Sequence, residues 1–190
     1  MSPRASSQSL AARLGGAAVQ LGRLRADLAR IAELAARRGA PASWRTIAAD
    51  ASVAPLALLR GSAALRAAVG SSLGLGAILR AVYHIDVWTD DIGPGLRLPH
   101  PFGIVVGDGA CVGERCTLMH NVTIQRGEGT VVGDHAVIAN GATVLAGAKV
   151  GEGSLIGTAS VVRGEIPPRH VAVGAPARAV RAVREGEVRS

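Results

Sequence analysis

The stretch from Val132 to Val162 reads VGDHAV, IANGAT, VLAGAK, VGEGSL, IGTASV, V, and every sixth residue is aliphatic: Val132, Ile138, Val144, Val150, Ile156 and Val162. Carried backwards, the same phase passes through Ile124, Leu118, Val112, Val106, Leu98 and Ile92, with one longer step after Leu98 and another after Ile124, each adding two residues. The fifth place of a rung is small or apolar, as at Ala110, Cys116, Val122, Ala136, Ala142, Ala148, Ser154 and Ser160, and glycine recurs at the second or fourth place. One large and one small inward residue per six is the pattern of a triangular prism of short parallel strands, three rungs to a coil. The rungs from Ile92 to Pro167 therefore predict a mainly β fold, a left-handed parallel β-helix of about four coils. Gln125–Val131 is too irregular for a rung and is expected to protrude as a loop.

Outward from this core the chain changes character. Leu10, Leu14, Ala17, Leu21, Leu24, Leu28, Ile31 and Ala35 are spaced alternately by four and three, a heptad seam that predicts a helix packed on another helix of this chain or of a neighbouring subunit. Gly39 and Pro41 end it, and Ser43 suits the cap of a short helix from Trp44. Pro55 suits the first turn of a helix running to about Val69, and a last helix ends near Tyr83. The expected organisation is an α-helical N-terminal region (1–84), a β-helix domain (85–167) and a C-terminal basic tail (168–190). Pro167 and Pro168 cannot donate to a parallel ladder, so the chain is expected to leave the coil after Val162.

The formal net charge of +7 comes almost wholly from arginine, Lys149 being the only lysine, and aromatic residues make up 2% of the chain. No nucleic-acid-binding motif accompanies that charge and no aromatics are interleaved with it, which argues against a nucleic-acid partner. No apolar run approaches the roughly 20 residues of a membrane-spanning helix. The acid-poor, Arg- and Ser-containing start superficially resembles a transit peptide, but the helical pattern continues through Asp27 and Glu33, so an ordinary helix is expected. Cys111 and Cys116 lie on adjacent rungs and read as buried thiols, compatible with a reducing cytoplasm.

The rung count also places the chemistry. His100, His120, Asn140 and Thr158 all take the third place of a rung and recur three rungs apart, so they are expected to stack as one polar column on coils about 4.8 Å apart. Third places are equally solvent-facing corners that accept any polar residue, which by itself would account for His120. His100 differs, because Pro99 and Pro101 flank it and Phe102 and Gly103 follow. A histidine in so stiff a segment has the fixed ring direction that a general base needs. A metal-dependent hydrolyase would need three ligands. His100, His120 and His135 are the nominees, but His135 takes a fourth place and is expected off the column, so no metal site is assigned.

The segment LPHPFGIVVGD (Leu98–Asp108) resembles the catalytic rung of the serine O-acetyltransferases, which are hexapeptide-repeat enzymes, and of related acetyltransferases from polysaccharide gene clusters. NVTI (Asn121–Ile124) and the exit from Ile166 through Gly174-Ala-Pro-Ala-Arg178 resemble the same family. The resemblance implies acetyl-CoA as co-substrate and O-acetyl transfer to serine, giving O-acetylserine for cysteine biosynthesis, with a sugar, polysaccharide or other small-molecule hydroxyl as the alternative acceptor. It implies that His100 takes the hydroxyl proton and that Asp86 orients His100. The spacing between the two is a residue short of the family's, so Asp90 and Asp91 stand as substitutes. Arg126, Asn140, Thr158 and Arg178 match the places against which CoA lies, and His120 and Arg126 are implied to face the acceptor. A cytoplasmic homotrimer is implied, with a dimer of trimers through the N-terminal seam as its extension. Two departures bear on the acceptor. The loop Gln125–Thr130 is short and lacks the histidine of an Arg-His pair that holds the amino acid's carboxylate, and Pro99 stands where the family has an acid.

Overall fold

The computed structural model describes residues 9–41 and 43–187, so the outermost ends of the helical region and of the tail lie outside the described residues. Four helices come first: α1 (Leu10–Arg37), α2 (Trp44–Ala48), α3 (Val53–Val69) and α4 (Leu75–Tyr83). Ser9 caps α1 by accepting from the Ala12 N–H, and Ser43 caps α2 by accepting from the Thr46 N–H, which satisfies donors that a first turn leaves without intrahelical partners. α1 lies along α3, so closely that a Cβ on Gly16 would stand 3.1 Å from that of Ala67. The apolar seam of α1 is used only in part. Ile31 is buried and Leu24 and Leu28 pack on the core, whereas Leu10, Leu14 and Leu21 are exposed. The inward face carries Gln20, Asp27, Arg30, Ile31 and Leu34 instead, because its second half covers the polar end of the solenoid and not only another helix.

The solenoid has five coils, one more than the rungs predicted. Its first coil holds β1 (Asp86–Val87), followed by single bridges at Ile92 and Arg97. The second holds β2 (Val105–Val106), β3 (Cys111–Val112) and β4 (Thr117–Leu118). The third holds β5 (Thr123–Ile124), β6 (Val131–Val132) and β7 (Val137–Ile138), and the fourth β8 (Thr143–Val144), β9 (Lys149–Val150) and β10 (Leu155–Ile156). The fifth holds β11 (Val161–Val162), β12 (Glu165–Ile166) and β13 (His170–Gly174), and β14 (Ala177–Ala182) folds back antiparallel on β13. Three parallel faces result: β1-β2-β5-β8-β11, β3-β6-β9-β12, and β4-β7-β10-β13 with β14 at its edge. All the aliphatic first-place residues from Ile92 to Val162 are at most 2% exposed, and the small fifth-place residues fill the space between them.

Pro167 and Pro168 do not end the ladder as expected. They occupy a corner, where no strand asks for their missing N–H, while Ile166 beside them still accepts from Gly151 N–H and Arg169 N–H resumes donation to the Glu152 carbonyl. Much of the tail is therefore strand. The loop after Ile124 is also tighter than expected. Val131 already belongs to β6, the Gln125 side chain accepts from Ala146 N–H, and buried Thr130 accepts from Gly147 N–H, so both ends are pinned to the next coil.

The first coil has no preceding coil to donate N–H groups to it, and its carbonyls would be orphaned without help. Arginines from the helices supply it. Arg60 donates to the carbonyls of Ile92 (2.8 Å) and Gly93 (2.7 Å) and to both oxygens of Asp27 (2.9 and 3.3 Å). Asp27 in turn accepts from Leu96 N–H at 2.8 Å. Arg30 donates to the carbonyls of Gly95 and Cys116 and to the Thr117 hydroxyl. Asp27 is fully buried and Arg60 is 2% exposed. Burial pushes the Asp27 carboxyl up from its ordinary range, with the Arg60 guanidinium pulling it back. Arg30 is drawn down to about 10 by burial and by the neighbouring charges of Arg115 and Arg97.

Candidate active site

The corner between the β4 face and the β1 face carries the expected column. Each coil turns there through a left-handed residue: Gly103 (φ +66°), Asn121 (+57°), Gly141 (+70°) and Ala159 (+53°). The glycine at 103 is required by space as well as by angle, since a Cβ would fall 2.2 Å from the Asn121 carboxamide oxygen. Backbone bonds from Asn121 N–H to Phe102 O, Gly141 N–H to His120 O and Ala159 N–H to Asn140 O lock successive corners in register. His100 and His120 consequently meet edge to face with centroids 5.8 Å apart, and Thr158 Oγ1 donates to Asn140 Oδ1 at 3.0 Å. His100 is exposed at the head of the column. His120 Nδ1 beneath it is buried and has no partner among the described residues. Phe102, expelled by the two-residue insertion, packs against His84 with centroids 4.8 Å apart and ring planes tilted by 58°, which braces the segment holding His100.

The other nominated residues sit elsewhere. Arg126 follows β5 at the next corner, its backbone pressed on Gly107, and lines a groove of about 600 Å³ with Trp88, Val105, Asp108 and Thr123. The β1 face therefore separates Arg126 from Asn140 and Thr158 within one chain. Arg178 is exposed on β14. Asp86 accepts from Trp88 Nε1 (2.9 Å) and from Arg80 (3.3 Å), and His100 is not among its partners. Asp90 is paired with Arg66, and Asp91 lies beside Cys111. His135 occupies the corner between the β3 and β4 faces, away from His100 and His120, so the three histidines do not converge.

A second opening reaches His100 from the helical side. It is a cavity of about 450 Å³ whose lining includes Arg38, Asp50, Arg97, His100 and Met119. Sequence reading missed its arginines, because Arg97 and Thr117 point outward from the prism and such places ordinarily face water. Here the helices cover them, leaving Arg97 7% exposed.

The two thiols are chemically quiet. Burial raises Cys116 to about 12, and burial together with Asp91 raises Cys111 to about 11, both from an ordinary 9.0. Since only the thiolate is nucleophilic, at pH 8 the reactive fraction of Cys116 should fall roughly 1000-fold below that of a free thiol. The fold favours the protonated thiols, so their contribution to stability holds below about pH 9 and is lost as pH rises through the folded values. Titration of native protein with a chromogenic disulfide at pH 8 should show no fast phase, and both thiols should react after denaturation. A rapid reaction in the native state would contradict the burial.

No family model matches the chain. Serine acetyltransferase 3, mitochondrial, of Arabidopsis thaliana is 42% identical over an alignment of 99 positions that covers 46% of this chain. The chain spans only 24% of that curated relative's length. Soybean serine acetyltransferase, solved in complex with serine, is 30% identical, with 84% of this chain and 70% of that chain covered and a TM-score of 0.66. A serine acetyltransferase solved in complex with CoA is 22% identical and shares the fold, with a TM-score of 0.69 over 88% of this chain and 72% of that one. These matches favour the serine acetyltransferases over the polysaccharide-cluster branch. Among the described residues no helix is long and apolar enough to cross a membrane.

Proposed function

The chain belongs to the serine acetyltransferase family, and on that premise we propose that it transfers the acetyl group of acetyl-CoA to the hydroxyl of serine. The observation that carries this reading is His100, exposed and braced at the head of the polar column of His120, Asn140 and Thr158. In the proposed step His100 takes the hydroxyl proton while the oxygen attacks the thioester carbonyl, and backbone N–H groups receive the developing oxyanion. Collapse of the tetrahedral species expels CoA thiolate, which recovers the proton from the imidazolium. The products are O-acetylserine, a precursor for cysteine biosynthesis, and free CoA.

Acetyl-CoA is proposed to lie along Asn140 and Thr158, with Arg126 and Arg178 facing its anionic groups. Since Arg126 lies across a face from the other two, the groove is proposed to be closed by a neighbouring subunit in a homotrimer. Asp86 is proposed as the carboxylate that orients His100, and it must exchange its bonds to Trp88 and Arg80 to do so. A cytoplasmic setting is proposed, with which the unpaired thiols Cys111 and Cys116 are compatible.

Purified protein supplied with acetyl-CoA and, separately, serine, homoserine and glycosyl acceptors should release CoA with serine, read as free thiol, and yield O-acetylserine by mass. Release with glycosyl acceptors alone would replace serine by a sugar. No release above background with any acceptor would overturn the acetyl-transfer reading.

A further inference from the structure

The corner between the β3 and β4 faces turns through a left-handed residue on every coil: Gly95 (φ +75°), Arg115 (+52°), His135 (+58°), Gly153 (+62°) and Arg169 (+57°). Glycine takes that conformation without strain, so the three larger residues hold it at a cost that something else must offset. For Arg115 the compensation is visible. Its stem lies over Gly95, with Cγ 3.0 Å from where a Cβ would stand, and its guanidinium meets Glu33 of α1 at 2.7 Å. Arg169 repeats the first half of this arrangement, with Cγ 3.5 Å from where a Cβ on Gly153 would stand. The second half is missing. Arg169 forms no ion pair among the described residues, whereas Arg115 and, on the neighbouring hairpin, Arg181 both do.

A cavity of about 660 Å³ lies at this corner. His135, Gly153 and Arg169 line it from the solenoid and Arg184 from the tail, together with the acids Glu152 and Glu185. Val183 N–H donates to the Arg169 carbonyl at 2.7 Å, and the Arg184 N–H donates to the Glu187 carboxylate at 2.9 Å, so the backbone carrying Arg184 is held beside the corner. The Arg184 guanidinium, like that of Arg169, is in no ion pair among the described residues. Two arginines and a histidine from two parts of the chain thus share one space, and the bare Gly153 lies between the coils of His135 and Arg169.

We infer that this corner is a binding site for a single phosphoryl group, held by Arg169, Arg184 and His135. Such binding does not depend on the acetyl-transfer reading. Asn140 and Thr158 stand at the corner between the β4 and β1 faces and Arg126 at the corner between the β1 and β3 faces, so the groove proposed for acetyl-CoA leaves this third corner open. A phosphoryl group suits the site because guanidiniums bind its oxygens through paired donors and an imidazole N–H adds one more. The ligand's size is limited by the acids. Two arginines and a histidine against two carboxylates suit one compact oxyanion, whereas a longer polyanion would bring its further charges against Glu152 and Glu185. Apart from His135 the lining offers no ring on which a base could stack, so the phosphoryl group itself is what the site recognises.

The test is calorimetric titration of the purified protein, in chloride buffer, with inorganic phosphate, glycerol 3-phosphate and succinate. At least one of the two phosphates should bind once per chain at millimolar concentration or below, and succinate, which offers carboxylates instead, about tenfold more weakly or less. The tighter of the two phosphates tells whether free phosphate or a phosphomonoester is the ligand. Arg169→Gly removes the guanidinium and puts glycine where the backbone favours it, so the unfolding midpoint without phosphate should not fall while the affinity drops by about tenfold or more. His135→Asn, which also tolerates the left-handed turn, and Arg184→Gln should each weaken binding by about three- to tenfold. Arg163→Gln removes an exposed arginine from another corner and should leave the affinity unchanged. No saturable binding of either phosphate up to about 10 mM, succinate bound as tightly as phosphate, affinity unmoved by Arg169→Gly, or an equal loss in Arg163→Gln would overturn the inference.

Discussion

Replacing His100 with alanine is expected to lower kcat for serine acetylation by about 10²- to 10⁴-fold, the contribution of a positioned general base, while leaving the thermal unfolding midpoint in place. The second half of the expectation is as informative as the first. The imidazole is exposed and meets His120 edge to face within the column, so little packing is lost with it. A structural histidine would show the opposite division. Steady-state kinetics with acetyl-CoA varied at saturating serine should show KM for acetyl-CoA within a few-fold of its original value, because the proton transfer belongs to the transition state and not to cofactor binding. A decrease in kcat of less than about threefold would remove His100 from the reaction.

Asp27→Asn is expected to destabilise the fold by about 3–5 kcal/mol, the cost of leaving a buried charge without its partner. The substitution preserves volume and one acceptor oxygen, so the Leu96 N–H can keep a bond, but the Arg60 guanidinium keeps its charge in a site that water does not reach. Urea unfolding should show the loss as a lower midpoint. The double variant Asp27→Leu with Arg60→Met removes both charges and separates two contributions. If the ion pair alone mattered, the double variant would regain most of the stability. Recovery should instead be incomplete, because the Ile92 and Gly93 carbonyls lose the donors that stand in for a missing coil. Full recovery would show that capping those carbonyls contributes nothing.

The solenoid was legible because its inward residues obey one rule on every coil, and a buried position such as Ile138 or Ala142 leaves no freedom that would blur the period. The column of His100, His120, Asn140 and Thr158 was legible for the same reason, since a corner place repeats whenever a strand place does. What escaped were contacts set by the covering helices. Arg97 holds an outward place, and nothing local distinguishes it from an outward residue in water. Asp27 and Arg30 did leave a trace, as charged residues interrupting the helix beside the apolar positions Leu28 and Ile31, but a heptad reading assigns them to the solvent. The last side of the fifth coil, β13, was missed because proline was judged as a strand residue when it sits at a corner. Asp86 was named from its motif, and its bonds to Arg80 and Trp88 depend on a helix end and a flanking aromatic that a motif does not encode.

The two insertions, Pro101–Phe102 and the loop after Ile124, have a meaning for assembly of the chain itself. A strand stack with the same side chains on every storey is degenerate: sliding one coil past its neighbour by a full turn would return valine to isoleucine and glycine to glycine at little energetic cost. The extra residues break that symmetry, because a displaced coil would bury Phe102 against a plain corner or leave Thr130 without the Gly147 amide. They act as alignment pins. The segments that make the two candidate grooves are thus also those that tell the solenoid which storey is which, and shortening either would put the order of the coils at risk along with the chemistry.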